Sequence, residues 1–160
     1  MMQLFSSILI ASTFTIARAR IQGLSAPSSV RQGDEITVNL LTAGYTQKVA
    51  DVAVAFGWST LPGHHCAIGY SPNLFAYIGP DHSKIGPPEN KSVPVKAQVP
   101  LWMLNYIRDG KTVLGAAILI YGISGMPSVK FMNLTIEIRQ QTTSSFVETR
   151  DFYTQENECH

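Results

Sequence analysis

Residues 35–40 read Glu-Ile-Thr-Val-Asn-Leu, a stretch in which polar and apolar side chains alternate without a break. Successive side chains of a β-strand point to opposite faces, so Ile36, Val38 and Leu40 share one face and the polar residues share the other. This pattern is typical of a strand with one buried and one solvated side. The stretch therefore predicts a sheet that packs on an apolar layer.

Similar runs lie on both sides of this strand and are separated by Gly- and Pro-containing turns. The further predicted strands are residues 21–24, 49–56, 73–78, 93–99, 112–121 and 130–139. About seven short strands with no convincing amphipathic helix favour a two-sheet architecture. We predict an all-β fold, an immunoglobulin-like β-sandwich of about seven antiparallel strands, with a closed barrel as the rival.

Three of these runs carry positional information. Pro94 interrupts its strand pattern and predicts an edge position, whereas residues 112–121 are apolar on both faces and are expected at the centre of a sheet. In residues 49–56, strict alternation places Val54 and Phe56 on one face and Asp51 on the other. Residues 58–73 lack a sustained period and are predicted to form a long loop.

The two ends of the chain differ in composition from its middle. Residues 1–19 form a short apolar run ending in Ala17-Arg18-Ala19, the small-x-small pattern that precedes signal-peptidase cleavage. We therefore predict a signal peptide over 1–19, a sandwich domain over 20–140 and a polar, mostly unstructured tail over 141–160. Secretion is the expected localisation, with a start of the mature chain near Arg20.

Charge and hydropathy exclude several classes of partner. The chain has 12 Lys and Arg against 11 Asp and Glu, and removal of Arg18 with the leader leaves 11 against 11. A neutral chain without a basic cluster predicts no binding to nucleic acid. Since no segment after the leader is long and apolar enough to cross a bilayer, we expect no membrane anchor, and we expect a monomer.

Two cysteines, Cys66 and Cys159, are present, and in a secreted protein they are expected to form a disulfide. Two free thiols, or a bridge to another chain, are the alternatives. Two glycosylation sequons are present as well, at Asn90 and at Asn133. Strand alternation places Asn133 on the outer face of its strand.

No constellation in the sequence predicts catalysis, a metal or a cofactor. His64, His65 and Cys66 are adjacent rather than spaced as zinc ligands, and the nearest approach to a serine-hydrolase elbow, residues 122–126, lacks its last glycine. The carboxylates sit beside turn residues and suggest no acid/base pair. Trp58, Trp102 and Tyr106 fall outside the alternating runs and are the candidate partner-binding residues, unless they cap the ends of the sandwich.

Several stretches together resemble the fungal necrosis-inducing secreted protein family. The most specific of them, Tyr45-Thr46-Gln47-Lys48-Val49-Ala50-Asp51-Val52-Ala53-Val54-Ala55-Phe56-Gly57, is not demanded by a generic sandwich. The others match in order and spacing over roughly residues 17–138. They are Ala19-Arg20-Ile21, Gly33-Asp34, Val99-Pro100, Gly110-Lys111, Val113 to Gly122, Ser124, Pro127 and Asn133-Leu134-Thr135.

The resemblance implies a fungal effector that binds and inhibits host plant receptor-like kinases, suppresses pattern-triggered immunity and induces host cell death. A second location, in the host cytoplasm after uptake, is the alternative to an extracellular site of action. The residue pattern alone leaves an alternative open, an extracellular cell-wall carbohydrate-binding module that uses Trp58, Trp102 and Tyr106. The resemblance supplies no catalytic residues.

Overall fold

Two β-sheets make up the part of the chain that the computed structural model describes, residues 18–45, 50–59, 68–69, 71–77, 92–102, 109–121 and 126–154. No α-helix occurs in these residues. The strands within them are β1 (Arg18–Pro27), β2 (Ser29–Val30), β3 (Glu35–Tyr45), β4 (Ala50–Ser59), β5 (Ser71–Tyr77), β6 (Ser92–Gln98), β7 (Lys111–Tyr121), β8 (Pro127–Ile138), β9 (Phe146–Thr149) and β10 (Tyr153–Thr154).

The strand order confirms the predicted sandwich. The smaller sheet has the order β6-β3-β1-β9 and the larger one β10-β8-β7-β4-β5, with β2 paired in parallel to β8 and every other pair antiparallel. The predicted positions also hold, since β6 with Pro94 is an edge strand and β7 is central. In the described residues the strands outnumber the seven expected because β2, β9 and β10 were not predicted.

The core lies between the inner faces of the two sheets, and it uses the alternation seen in the sequence. Ile36, Val38 and Leu40 of β3 are all buried, as expected. They pack in one cluster with apolar residues of the larger sheet, which include Val54, Phe56, Trp58, Leu114, Ala116, Ile118, Ile120, Met132, Leu134 and Ile136. Alternating strand sequences thus explain the layer that holds the two sheets together.

Residues 141–154 are part of the folded structure, which corrects the expectation of an unstructured tail over 141–160 for that part of it. Its polar side chains make hydrogen bonds to the chain around β2: Thr142 Oγ1 accepts from the Arg31 amide at 3.0 Å and donates to Asp34 Oδ2 at 2.7 Å. The bond from Thr142, and then that from Arg31, lower the pKa of Asp34. Ser and Thr therefore act here as partners for backbone and carboxylate groups rather than as solvated linker.

The tail then joins both sheets in turn. β9 pairs with β1 at the edge of the smaller sheet, and β10 pairs with β8 at the edge of the larger sheet. Between and beside these strands, Val147 and Phe152 pack against the core. Residues 155–160 lie outside the described part of the chain. The sandwich therefore includes residues up to at least 154.

Two neighbouring residues of β9, Phe146 and Val147, are expected to contribute differently to the free energy of unfolding. Val147→Ala is expected to lower the free energy of unfolding by about 1 kcal/mol, because methyl groups packed on the core are lost. Phe146→Ala removes a larger side chain that is exposed, so its expected cost is within about 0.5 kcal/mol. Urea unfolding of both variants measures the difference, and equal costs would argue against a docked tail.

Candidate functional site

A buried ion pair connects the two sheets at one end of the sandwich. Arg20 of β1 and Asp51 of β4 approach with Nε to Oδ1 at 3.5 Å, and their side chains are 10% and 1% exposed. The second carboxylate oxygen, Oδ2, accepts the backbone N–H of Ile21 at 2.6 Å. One carboxylate of the larger sheet thus binds two consecutive residues of the smaller sheet.

Two backbone irregularities accompany these groups. The β1–β3 register shifts between Ile21 and Gly23, and the β4–β7 register shifts between Asp51 and Ala53. A bulge inserts one residue and changes which side chains face the core. Asp51 consequently pairs with Ile120, a core residue, and its carboxylate lies between the sheets. The expectation that Asp51 faces away from Val54 and Phe56 is therefore wrong, because strict alternation ignores the bulge.

The electrostatics of the cluster are dominated by burial. Burial raises the pKa of Asp51, and the Ile21 amide and the charge of Arg20 oppose this effect. Lys130 of β8 lies close enough to sense both charged groups: burial and Arg20 lower its pKa, and Asp51 acts in the opposite direction. The Lys130 ammonium also lies 4.8 Å from the centre of the Phe152 ring, a cation–π contact with the tail.

The chemistry of this cluster is that of a structural link. A single carboxylate faces two cations, so the paired acids that general acid/base catalysis of glycoside hydrolysis requires do not meet here. In the described residues, no three His, Cys, Asp or Glu side chains come together as a potential metal site. No helix found in those same residues has the length and apolar character to span a membrane.

The structure describes two of the three candidate binding aromatics, Trp58 and Trp102. Trp58 is 2% exposed and lies in the core as part of β4, which extends to Ser59. Its assignment as a partner-binding residue in a loop is therefore wrong, because the strand continues past Gly57 and turns the indole inward. Trp102 is partly buried and packs against the core. Tyr106 lies outside the described residues.

The predicted modification sites are placed only in part. Asn133 lies on β8 opposite Gly115 and is half-buried. Its glycosylation stays a prediction. Asn90, Cys66 and Cys159 lie outside the described residues, so the disulfide also stays a prediction. His64, His65 and residues 122–125 of the rejected hydrolase elbow lie outside them as well.

An exposed apolar surface was missed by sequence reasoning. Leu119 and Tyr121 project from the outer face of β7 and are 38% and 53% exposed, and Met126, just before β8, is 72% exposed. Leu119 and Tyr121 lie two residues apart on one face of β7, and Tyr121 pairs with Pro127, the residue that follows Met126 in the chain. We call Leu119, Tyr121 and Met126 the outer patch. The signal was present: residues 112–121 are apolar on both faces, but only one face meets the core.

The two sheets and the buried ion pair that links them define the class, an all-β sandwich protein. Comparison with known proteins identifies the family. The Nis1 family model matches residues 17–137, and the chain belongs to the Nis1 family. This match includes the ion pair and the outer patch but ends before β9 and β10.

Two curated relatives support this assignment. Necrosis-inducing secreted protein 1 of Colletotrichum orbiculare is 30% identical over 154 residues, which cover 95% of this chain and 90% of the relative. Necrosis-inducing secreted protein 1 of Colletotrichum higginsianum is 30% identical over 149 residues, covering 91% of this chain and 97% of the relative. The resemblance noted in the sequence is thereby confirmed. The protein is a secreted effector of the necrosis-inducing type.

Proposed function

We propose that this protein binds and inhibits plant receptor-like kinases, and that it thereby suppresses pattern-triggered immunity. The observation that supports the proposal most strongly is membership of the necrosis-inducing family over residues 17–137. Action on the kinase domain of a receptor requires that the secreted protein reach the host cytoplasm, and uptake is part of the proposal. Catalysis has no role in it: the protein acts by occupying a surface of the kinase.

The outer patch is the contact surface in this proposal. Exposed large apolar side chains that are neighbours on a sheet face mark interaction surfaces more often than isolated ones do. Tyr121 is of the residue type most enriched at binding hot spots, and Met126 adapts to irregular partner surfaces. The patch also lies inside the region that the family shares. The cell-wall alternative loses support because Trp58 is in the core.

A double substitution tests the contact surface without changing net charge. Tyr121→Lys with Met126→Glu replaces two exposed apolar side chains by opposite charges, and it is expected to weaken binding to a receptor-like kinase domain by about 10-fold or more. Isothermal titration calorimetry with purified kinase domains measures the affinity. Because both side chains are exposed, thermal stability is expected to change little.

A matched control uses exposed apolar residues elsewhere on the molecule. Phe146→Lys with Leu101→Glu makes the same chemical change at residues that are 49% and 75% exposed and do not belong to the outer patch. This control is expected to keep its affinity within about 2-fold. Equal loss in both double variants would contradict the assignment of the surface, and absence of binding by the unmodified protein would contradict the proposed function.

A further inference from the structure

The tail closes one side of the sandwich. In the strand order, β1 stands next to β9 in the smaller sheet and β8 stands next to β10 in the larger sheet. β9 pairs with Leu24–Pro27 of β1, and β10 pairs with Lys130 and Phe131 of β8, whose other end pairs with β2. One short segment, residues 146–154, therefore covers part of an edge in each sheet.

The two strands beside the tail are long and would present uncharged edges without it. β1 has 10 residues and β8 has 12. Residues 24–27 read Leu-Ser-Ala-Pro, and residues 131–136 read Phe-Met-Asn-Leu-Thr-Ile, so neither stretch carries a charge. An unpaired edge offers its N–H and C=O groups to other chains, and charged side chains, prolines and short length are the usual protections. Only Pro27, at the end of the first stretch, supplies one of these.

The other edges carry protections of their own. At the far side of the smaller sheet, β6 contains Pro94, which has no N–H, and Lys96, which forms an exposed ion pair with Glu35. β9 has four residues and includes Glu148, whose carboxylate lies 3.7 Å from the Arg150 guanidinium, and β10 has two residues. The tail thus replaces two long uncharged edges by two short ones.

The tail is attached around Ser28, the residue between β1 and β2. Ser28 Oγ lies 3.0 Å from Thr143 Oγ1 and 2.6 Å from Ser145 Oγ, and the Ser28 N–H donates to the Ser145 carbonyl at 2.8 Å. Val147 and Phe152 add partly buried apolar contacts with the core. Because these hydroxyl contacts are exposed or partly exposed and β9 is short, we expect the tail to open before the core unfolds.

We propose that the tail covers a self-association site: when it is displaced, the free edges of β1 and β8 pair with the same edges of a second copy of this chain, and the docked tail keeps the protein monomeric. The direction of pairing favours a second copy as the occupant. Two copies related by a two-fold axis pair the same strand with itself in antiparallel orientation. The strands that now hold these edges, β9 and β10, are also antiparallel to β1 and β8.

The ladder between β1 and β9 identifies the amides that hold the tail. The Ser145 carbonyl accepts the N–H of the residue after β1, and bonded pairs alternate along an antiparallel ladder. Val147 and Thr149, two and four residues further on, therefore direct their N–H groups towards β1. Phe146 and Glu148 direct theirs away from it.

A pair of proline variants of the full chain tests the proposal. Val147→Pro with Thr149→Pro removes two ladder donors and is expected to undock β9. Phe146→Pro with Glu148→Pro is the matched control, because it places two prolines in the same strand where no ladder bond is lost. Size-exclusion chromatography with light scattering is expected to give the first variant about twice the mass of the monomer, and the unmodified chain and the control the mass of the monomer.

Two outcomes of this experiment would overturn the proposal. One is a first variant that stays monomeric at every concentration although its core is folded and its β9 amides exchange rapidly with solvent. The other is equal association of the control variant.

An engineered disulfide covers the case in which the first proline variant does not fold. Ser28→Cys with Ser145→Cys places two sulfurs where hydroxyl oxygens lie 2.6 Å apart, near the S–S bond length of about 2.0 Å. In moderate urea the unmodified chain is expected to open its tail and associate, whereas the oxidised variant stays monomeric. Equal association of both chains, or none by the unmodified chain once its β9 amides exchange, would contradict the proposal. None of these results depends on kinase binding.

Discussion

Asp51→Ala is expected to lower the free energy of unfolding by about 3–5 kcal/mol. The substitution leaves the Ile21 N–H without its carboxylate acceptor and leaves Arg20 buried without its counter-charge. Breaking a buried ion pair from one side costs more than the net value of the pair, because the remaining charge stays desolvated. Urea unfolding followed by tryptophan fluorescence measures the loss.

Two further variants show whether the loss of stability comes from the buried charge of Asp51. Asp51→Asn keeps an oxygen that accepts the Ile21 N–H and removes only the charge, so a smaller loss is expected. Glu35→Ala removes the carboxylate of an exposed ion pair with Lys96, whose side chains are both about two-thirds exposed, and its expected cost is under about 1 kcal/mol. If Asp51→Ala were as mild as Glu35→Ala, the carboxylate would not be linking the sheets.

Trp58→Ala is the second large effect, with an expected loss of about 3–5 kcal/mol. The indole is 2% exposed and is the largest of the fully buried side chains in the described residues, so truncation leaves a cavity between the sheets. Differential scanning calorimetry measures the resulting decrease in melting temperature. Trp58→Phe fills much of that cavity and is expected to recover more than half of the stability.

The same substitution separates a core residue from a binding residue. If Trp58 contacted a partner, Trp58→Ala would weaken binding and leave the melting temperature unchanged. Because Trp58 lies in the core, we expect the opposite result. Trp58→Ala lowers the melting temperature, and any loss of binding is a consequence of unfolding. Trp102→Ala, at a partly buried position against the core, is expected to cost less than Trp58→Ala.

The parts of the fold that follow alternation were predictable from the sequence. β3 is the clearest case, since each apolar residue from Ile36 to Leu40 is inside. The edge position of β6 and the central position of β7 followed from Pro94 and from a run that is apolar on both faces. In these strands, local pattern and tertiary position agree.

The predictions that were wrong have physical explanations. Asp51 was misplaced because a bulge adds one residue between Asp51 and Ala53, and no local signal marks it. An acidic residue inside an apolar strand was nevertheless a warning of a buried partner. The tail was missed because it is held by long-range hydrogen bonds that composition does not reveal: Thr142 donates to Asp34, and Thr143 accepts from the Ser29 amide.

The outer patch and the core are built from the same kind of side chain but lie on opposite faces of the larger sheet. The patch residues are apolar like the core, so the sequence alone does not distinguish them from buried positions. Only the strand order reveals that Leu119 and Tyr121 have no layer above them among the described residues. The stabilising groups, Asp51 and Trp58, lie on the inner faces. Substitutions in the outer patch are therefore expected to change binding without changing stability.

The most direct measurement of the proposed function is a kinase assay with purified components. The chain beginning at Arg20 is titrated into the cytoplasmic domain of a plant receptor-like kinase, and phosphate transfer to a substrate protein is followed. The account predicts saturable inhibition by the unmodified protein and by the Phe146→Lys/Leu101→Glu control, with about 10-fold more of the Tyr121→Lys/Met126→Glu variant required. Unchanged phosphate transfer at saturating concentrations of the folded, unmodified protein, across a panel of such kinases, would contradict it.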